Sequence, residues 1–278
     1  MKLFILLASI ALAKAGVPFK PINVDYHTTV GIPLAAKIEQ AELAQDFDGS
    51  RIIGGSLSSV GQHPYMAGLL IRLTIGAVSM CGSTLLTNTR VVTAAHCWAT
   101  RTHHGTAIEV VLGSVNLYFG GTRVNTNNIQ MHPNYNMDNF NNDVAVIVMP
   151  WVTYTNNIRN IPMASGSNSF AGQNALAAGF GLIADVNGHT DRLHHVTLQV
   201  ITNADCARFF GTSAVIGSTL CTSGAGGRNT CVGDSGGPLV LNNQLIGITS
   251  FGPLFCEAPD PSAFARVTSF NSWISAHL

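Results

Sequence analysis

One serine, one histidine and one aspartate in this sequence have settings that suit nucleophilic catalysis. Ser235 lies in the segment GDSGGP, where small neighbours leave its hydroxyl group uncrowded. A serine hydroxyl is a weak nucleophile that needs a base within hydrogen-bonding reach, most often a histidine. His96, in TAAHC, can serve as that base, and Asp143, in NDVAV, can hold the tautomer of the histidine. These residues predict acyl transfer to serine, although GDSGGP alone also suits a plain tight turn.

Short β-like runs are the elements that must position these residues. They are rich in Val, Ile, Leu and Thr and are separated by clusters of Gly, Asn and Ser, which favours an all-β barrel or sandwich. The clearest runs are 65–71, 90–94, 108–112, 143–148, 195–201, 238–241 and 245–250. The apolar spacing of 267–278 predicts a C-terminal helix, and 35–44 can form a short helix. The asparagine-rich segment 125–142 is predicted to be a solvated loop.

The overall composition is that of a globular protein with few charges. Of the 278 residues 46% are apolar and 10% are charged, and the formal net charge is zero. Such a chain has enough apolar material for a substantial core in one large domain or two small ones. It lacks the basic surface that binds nucleic acid, so we expect no such partner.

The N-terminus has the pattern of a secretory signal peptide. Lys2 is followed by a short apolar run at 3–12 and by the small-residue cleavage site AKA at 13–15. The alternative, a membrane anchor, fails because the run is half of the roughly 20 residues that a spanning helix needs. We therefore predict a signal peptide at 1–15, a secreted, extracellular protein and no membrane partner.

Secretion makes the cysteines informative, because disulfides form in oxidising compartments. Their even number predicts three disulfides, whose pairing the spacing alone leaves open. The six cysteines are Cys81, Cys97, Cys206, Cys221, Cys231 and Cys256. Zinc would favour C-x-x-C pairs, which the sequence lacks. The histidine pairs 103–104 and 194–195 have no acidic ligand pattern, and no Asp or Glu lies between Glu109 and Asp138 to hold calcium. We expect no metal and no cofactor.

The segment 16–51 differs from the rest of the chain and is called the prosegment below. It has no cysteine and ends in Arg51, after which IIGG at 52–55 begins a new pattern. A basic residue before two apolar residues and two glycines suggests a processing site. An ordinary loop before a strand remains the alternative.

The motifs around His96, Asp143 and Ser235, in that order and together with the Arg51 junction, resemble the chymotrypsin family of serine proteases, and the chain is similar to its insect digestive members. The resemblance covers 52–278. It implies an all-β fold of two packed six-stranded antiparallel β-barrels with a C-terminal helix and with the cleft between the barrels.

The resemblance also implies roles for individual residues. Ser235 would attack the scissile carbonyl, His96 would accept its proton, and Asp143 would orient His96. The backbone N–H groups of Gly233 and Ser235 would form the oxyanion hole. The implied disulfides are Cys81 with Cys97, Cys206 with Cys221, and Cys231 with Cys256. Cleavage after Arg51 by a trypsin-like protease would free the amino group of Ile52, which would insert beside Asp234 and activate the protease domain, 52–278.

Five residues would shape substrate binding: Asn229, Ser250, Phe251, Gly252 and Ser262. Asn229 matches the base of the specificity pocket, where trypsin-like members carry a carboxylate. The resemblance therefore favours chymotrypsin-like cleavage after large apolar or aromatic residues, with elastase-like or collagenase-like specificity as the alternative. Gly252 would leave the pocket entrance open, and Ser262 would narrow the pocket slightly.

The distribution of lysine suggests a setting. The lysines are Lys2, Lys14, Lys20 and Lys37, and all of them precede Arg51. Lysine loses its charge at about pH 10.4, whereas arginine keeps it. An alkaline gut lumen would therefore favour a protease domain without lysine. We expect a monomeric digestive endopeptidase whose partners are polypeptide substrates, the activating protease and protein inhibitors. A non-catalytic homologue that binds partners through the same cleft is the alternative.

Overall fold

The structure is a computed structural model that describes residues 19, 22–44, 55–185, 192–253 and 255–278. The signal peptide predicted at 1–15 and the Arg51–Ile52 junction lie outside these ranges. Among the described helices, none has the length and apolar character needed to cross a membrane.

The described chain contains fourteen strands and three α-helices. The strands are β1 Ser56–Leu57, β2 Met66–Leu73, β3 Val78–Thr87, β4 Arg90–Thr93, β5 Gly105–Leu112, β6 Thr122–Thr126, β7 Asn128–Met131, β8 Ala145–Val148, β9 Asn174–Gly179, β10 His194–Ile201, β11 Thr219–Thr222, β12 Pro238–Leu241, β13 Gln244–Phe251 and β14 Ser262–Arg266. The helices are α1 Ile32–Ala44, which follows a π-helical turn at His27–Gly31, α2 Asn203–Phe210 and α3 Val267–Ser275.

The strands form two antiparallel sheets, each curled into a barrel. The first has the order β6-β5-β2-β3-β4-β8-β7. Because β7 begins two residues after β6 ends, the two strands continue one path around the barrel, so the barrel has six strand positions. The second has the order β1-β10-β11-β14-β13-β12-β9, and pairing of β9 with β10 closes its six main strands. The two six-stranded barrels and the C-terminal helix confirm the predicted fold.

The predicted loop at 125–142 is partly wrong, because β6 and β7 extend through it to Met131. Ile129 and Met131 lie half-buried against the first barrel's core, while their neighbours in β7 are exposed. Pairing of β7 with β8 thus outweighs the low strand propensity of asparagine. The remainder is a loop in which asparagine side chains bond the backbone, as Asn142 Nδ2 does to the Asn134 carbonyl at 2.8 Å.

The two faces of β2 pack against different parts of the molecule. Leu69 and Ile71 point into the first barrel, because alternate strand residues share a face. Met66 and Leu70 point outward and contact a second apolar cluster that includes Leu34 of α1. Helix α1 therefore covers an apolar outer surface of the first barrel. Without the helix, solvent would contact this surface.

Three disulfides brace the fold. They join the pairs named from the resemblance: Cys81–Cys97, Cys206–Cys221 and Cys231–Cys256. The first ties β3 to the turn that carries His96, and the third ties the loop before Ser235 to the loop around residue 256. Loop closure of this size stabilises a fold by roughly 3 kcal/mol per disulfide in the chain-entropy model.

Candidate active site

The register of two strands in the first barrel brings His96 and Asp143 together. His96 lies in a 3₁₀ turn directly after β4, and Asp143 lies just before β8, which pairs with β4. The Asp143 Oδ2 atom accepts from His96 Nδ1 at 2.7 Å, and Oδ1 accepts from the His96 backbone N–H at 2.9 Å. Both side chains are fully buried. The carboxylate therefore fixes the ring orientation and leaves Nε2 on the opposite edge of the ring.

Ser250 connects this pair to the second barrel. Its hydroxyl, at the end of β13, donates to Asp143 Oδ2 at 2.6 Å. The carboxylate thus accepts three hydrogen bonds, which offset the cost of burying its charge. Ser250 therefore orients Asp143 from the far side of the cleft.

Ser235 occupies a tight turn at the junction of the barrels. The Gly82 N–H donates to the Ser235 carbonyl at 2.7 Å, so a backbone bond from β3 holds the turn. Gly236 has φ +79°, and a Cβ there would collide with the Gly82 carbonyl and Thr93. Gly233 has φ +99°, also a region that favours glycine. Glycines at 233 and 236 are therefore required by this backbone path, whatever chemistry Ser235 performs.

The prosegment contributes a side chain to the same site, which sequence reasoning did not predict. The Tyr26 ring lies edge-on to His96 with 4.9 Å between centroids, and Phe140 stacks on His96 at 4.7 Å. The Tyr26 hydroxyl donates to the Met80 carbonyl at 2.7 Å. Burial raises the pKa of Tyr26 above its usual range. Within the described chain, Ser235 and His96 form no hydrogen bond with each other.

The sequence did contain a signal for this docking. Tyr26, Val30, Leu34, Ile38 and Glu42 recur at intervals of four residues, which is the spacing of one face of a helix. All five are buried, each with at most 8% of its surface exposed. The prediction of a short helix at 35–44 detected only the second half of this stripe.

Asp234 is a buried carboxylate beside a cavity. It accepts from the backbone N–H groups of Gly181 and Cys231, both at 2.8 Å. Burial raises the pKa of Asp234 to about 6, against the lowering effect of these two donors. The adjacent cavity is also lined by Gly55 and His194. Within the described ranges no cationic side chain forms an ion pair with Asp234, and Ile52 lies outside them.

The five predicted substrate-binding residues fall into two groups. Ser250, Phe251 and Gly252 line the cleft with Ser235. Asn229 lines the cavity beside Asp234 instead, and the Ser262 hydroxyl donates to Asn229 Oδ1 at 2.7 Å. A Cβ on Gly252 would lie 3.2 Å from the Ser262 hydroxyl, so these two residues adjoin.

The side-chain amide of Asn229 is used within the protein. Its Nδ2 group donates to the Asp260 carbonyl at 2.8 Å and to the Ala258 carbonyl at 3.3 Å. With the bond from Ser262, both ends of the amide are occupied. Asn229 therefore braces the segment 258–262.

Potential metal ligands come together at one place in the described chain. Sulfur atoms of Cys81 and Cys97 lie near the His96 ring. The two sulfurs are joined as a disulfide, so neither is a thiolate that could bind a metal ion.

Two antiparallel barrels that meet at a buried histidine–aspartate pair and a serine turn define the architecture of the double-barrel serine proteases. The family model described as Trypsin matches residues 52–274. A collagenase from Hypoderma lineatum is 39% identical over 81% of this chain and 86% of its own length. Alkaline trypsin C from Manduca sexta is 35% identical over 81% of this chain and 90% of its own.

Comparison with solved structures also finds a collagenase. The structure titled HL collagenase matches with a TM-score of 0.75 and 38% identity, over 81% of this chain and 98% of that one. The chain therefore belongs to the trypsin family of serine proteases, which confirms the family resemblance drawn from its motifs.

Proposed function

We propose that this protein is a secreted digestive serine endopeptidase that is made as a zymogen and hydrolyses peptide bonds through an acyl-enzyme. The observation that carries the proposal is the buried pair of His96 and Asp143 at the cleft that contains Ser235. In a non-catalytic binding homologue these groups would have no reason to occur together.

The reaction would proceed by nucleophilic attack of Ser235 on the scissile carbonyl. His96, held through Nδ1 by Asp143, would accept the hydroxyl proton at Nε2 and pass it to the leaving amine. Water would then hydrolyse the acyl-enzyme by the same proton transfers. The N–H groups of Gly233 and Ser235 would stabilise the negative oxygen, and one such donor is typically worth roughly 3 kcal/mol in the transition state.

Activation would follow cleavage after Arg51 by a trypsin-like enzyme. The freed Ile52 ammonium would enter the cavity beside Asp234, whose raised pKa reflects burial without a described cationic partner. An ammonium there would favour the ionised carboxylate and return that pKa toward lower values. The domain boundaries proposed are therefore 1–15 for the signal peptide, 16–51 for the prosegment and 52–278 for the protease.

The proposed specificity is chymotrypsin-like, for large apolar or aromatic residues. Asn229 is neutral, its amide is occupied by backbone carbonyls, and Phe251 and Gly252 make the cleft wall apolar and open. Two relatives carry the names collagenase and trypsin, so collagenase-like specificity is the second candidate. The neutral Asn229 argues against a preference for Lys or Arg.

The proposed setting is an alkaline gut lumen. All four lysines precede Arg51, so the protease domain depends on arginine alone for strong positive charge. Arginine pairs such as Arg123 with Glu109, at 2.6 Å, would persist at a pH where lysine pairs are lost. One relative's name includes the word alkaline, which agrees with this setting.

The proposal is tested by treating the purified precursor with trypsin and profiling cleavage of a peptide library across pH. We expect cleavage after Phe, Tyr and Leu to exceed cleavage after Arg, and labelling of Ser235 by a fluorophosphonate. The control variant Arg51→Gln resists the activating cut and should stay inactive, and Ser235→Ala should be neither labelled nor active. Failure of the cut wild-type protein to label or hydrolyse would favour the binding homologue.

A further inference from the structure

The described part of the prosegment is docked on the protease domain along one helical face. Tyr26, Val30, Leu34, Ile38 and Glu42 form this face, and all are buried. By contrast, Leu43 on the same helix is 64% exposed. A segment whose only role was to be cut off would not need an apolar stripe matched to the outer surface of the first barrel.

Two side chains of this stripe contact the groups proposed for catalysis. The Tyr26 ring lies against His96, and Tyr26 lines the same cleft as Ser235. Leu34 packs on Gly233 so closely that a Cβ on that glycine would collide with it. The stripe therefore places Tyr26 beside the proposed base and Leu34 against a glycine of the proposed oxyanion hole.

Polar contacts fix the two ends of the docked segment. At the first end His27 Nδ1 is hydrogen-bonded to the Ser79 hydroxyl at 2.8 Å. At the other end the Glu42 carboxylate accepts from three consecutive backbone N–H groups: Leu117 at 2.6 Å, Tyr118 at 3.0 Å and Phe119 at 3.1 Å. Successive backbone N–H groups of this kind make an anion-binding concavity. The segment is thus held by a specific anchor as well as by apolar contact.

We infer that residues 22–44 are an inhibitor built into the precursor, which binds the cleft of the protease domain and competes with peptide substrates. The inference rests on the proposed protease function. The backbone from His27 to Ala44 is helical, so the segment fills the cleft with side chains and not as an extended substrate strand. Because it contains no cysteine, cutting after Arg51 leaves it bound only by noncovalent contacts. Full activity therefore requires its dissociation or destruction as well as the cut.

The first test follows bond cleavage and activity together after trypsin is added to the full-length precursor. Cleavage after Arg51 should precede activity, and activity should rise on dilution as the segment dissociates. The variant Tyr26→Ala/Leu34→Ala should lose this delay, whereas Leu43→Ala, on the exposed side of the same helix, should keep it. Activity that appears in step with cleavage and is independent of dilution would overturn the inference.

The second test uses a synthetic peptide of residues 22–44 and stays informative if the double variant fails to fold. The peptide should inhibit the purified mature protease competitively. A Tyr26→Ala peptide should bind at least about tenfold more weakly, and a Leu43→Ala peptide should match the wild type. Peptide binding to the cut Ser235→Ala protein should be measured by fluorescence anisotropy. A mature chain that hydrolyses substrate but ignores the peptide would refute this inference, whereas one that binds the peptide but hydrolyses nothing would refute the proposed function.

Discussion

Replacing Asn229 with aspartate tests how the proposed specificity pocket is built. The family resemblance implies that trypsin-like members carry at this position a carboxylate that pairs with Lys or Arg, so the simple expectation is that Asn229→Asp gains activity on Arg substrates. Here, however, Asn229 Nδ2 donates to the carbonyls of Ala258 and Asp260. Aspartate has no donor for them and would set negative charge against two carbonyl oxygens. We therefore expect loss of stability and no gain of Arg cleavage.

The size of the effect follows from the two lost hydrogen bonds. A buried carbonyl left without its partner costs about 1–3 kcal/mol. The bond to Asp260 is short, at 2.8 Å, whereas the bond to Ala258 is long, at 3.3 Å, and Asn229 is half-buried. A total near the lower end, about 2 kcal/mol, is reasonable for these geometries. For a domain of this size that corresponds to a fall in Tm of about 4–8 °C.

The same substitution should make stability depend on pH. A carboxyl group that faces carbonyl oxygens favours its neutral form, so its pKa in the folded state is raised above the unfolded value of about 3.9. The charge-related destabilisation is therefore absent below that unfolded pKa and complete once the pH exceeds the folded one. Asn229→Ala loses the same donors without acquiring charge, so its deficit should not change with pH.

The first assay is thermal unfolding of the precursor at pH 4 and pH 8 for the wild type, Asn229→Asp and Asn229→Ala. The second measures the hydrolysis of Arg and Phe substrates by the same three proteins after trypsin treatment. The reasoning is refuted if Asn229→Asp is as stable as the wild type at pH 8 and prefers Arg to Phe. That result would mean that the Asn229 amide does not brace the segment 258–262.

Two further substitutions probe buried carboxylates. Ser250→Ala removes the 2.6 Å hydrogen bond to Asp143, so we expect a free energy of unfolding about 2 kcal/mol lower in chemical denaturation. We also expect a reduced kcat with little change in KM. Unchanged stability and an unchanged kcat would contradict a positioning role for Ser250. For Asp234, a pKa raised to about 6 in the precursor predicts that stability falls by about 2 kcal/mol as pH rises from 4 to 7, because the folded state binds the proton more tightly than the unfolded chain. Asp234→Asn should flatten this pH dependence in calorimetry and leave the cut protein inactive, whereas an unchanged pH profile would show that other groups cause it.

Local sequence was sufficient for the features that rest on short-range patterns. The motifs around His96 and Ser235 identified the family, and the apolar spacing after Val267 predicted helix α3. Most of the predicted strands lie within a residue or a few of the observed ones, because β-branched runs between turn residues have few other ways to bury themselves. The exception was the asparagine-rich segment, where pairing with β5 and β8 formed strands that propensity argued against.

The tertiary structure decided the features that depend on distant partners. The stripe from Tyr26 to Glu42 is visible in the sequence, but the groups that it contacts are not. Tyr26 bonds Met80, which is 54 residues away, and Glu42 bonds backbone N–H groups 75 or more residues away. Likewise the residue type at 229 is plain in the sequence, while its occupied amide depends on carbonyls about 30 residues away. Residue types determine which hydrogen bonds, charges and apolar contacts are available. Only the packed chain determines which groups stand opposite one another to use them.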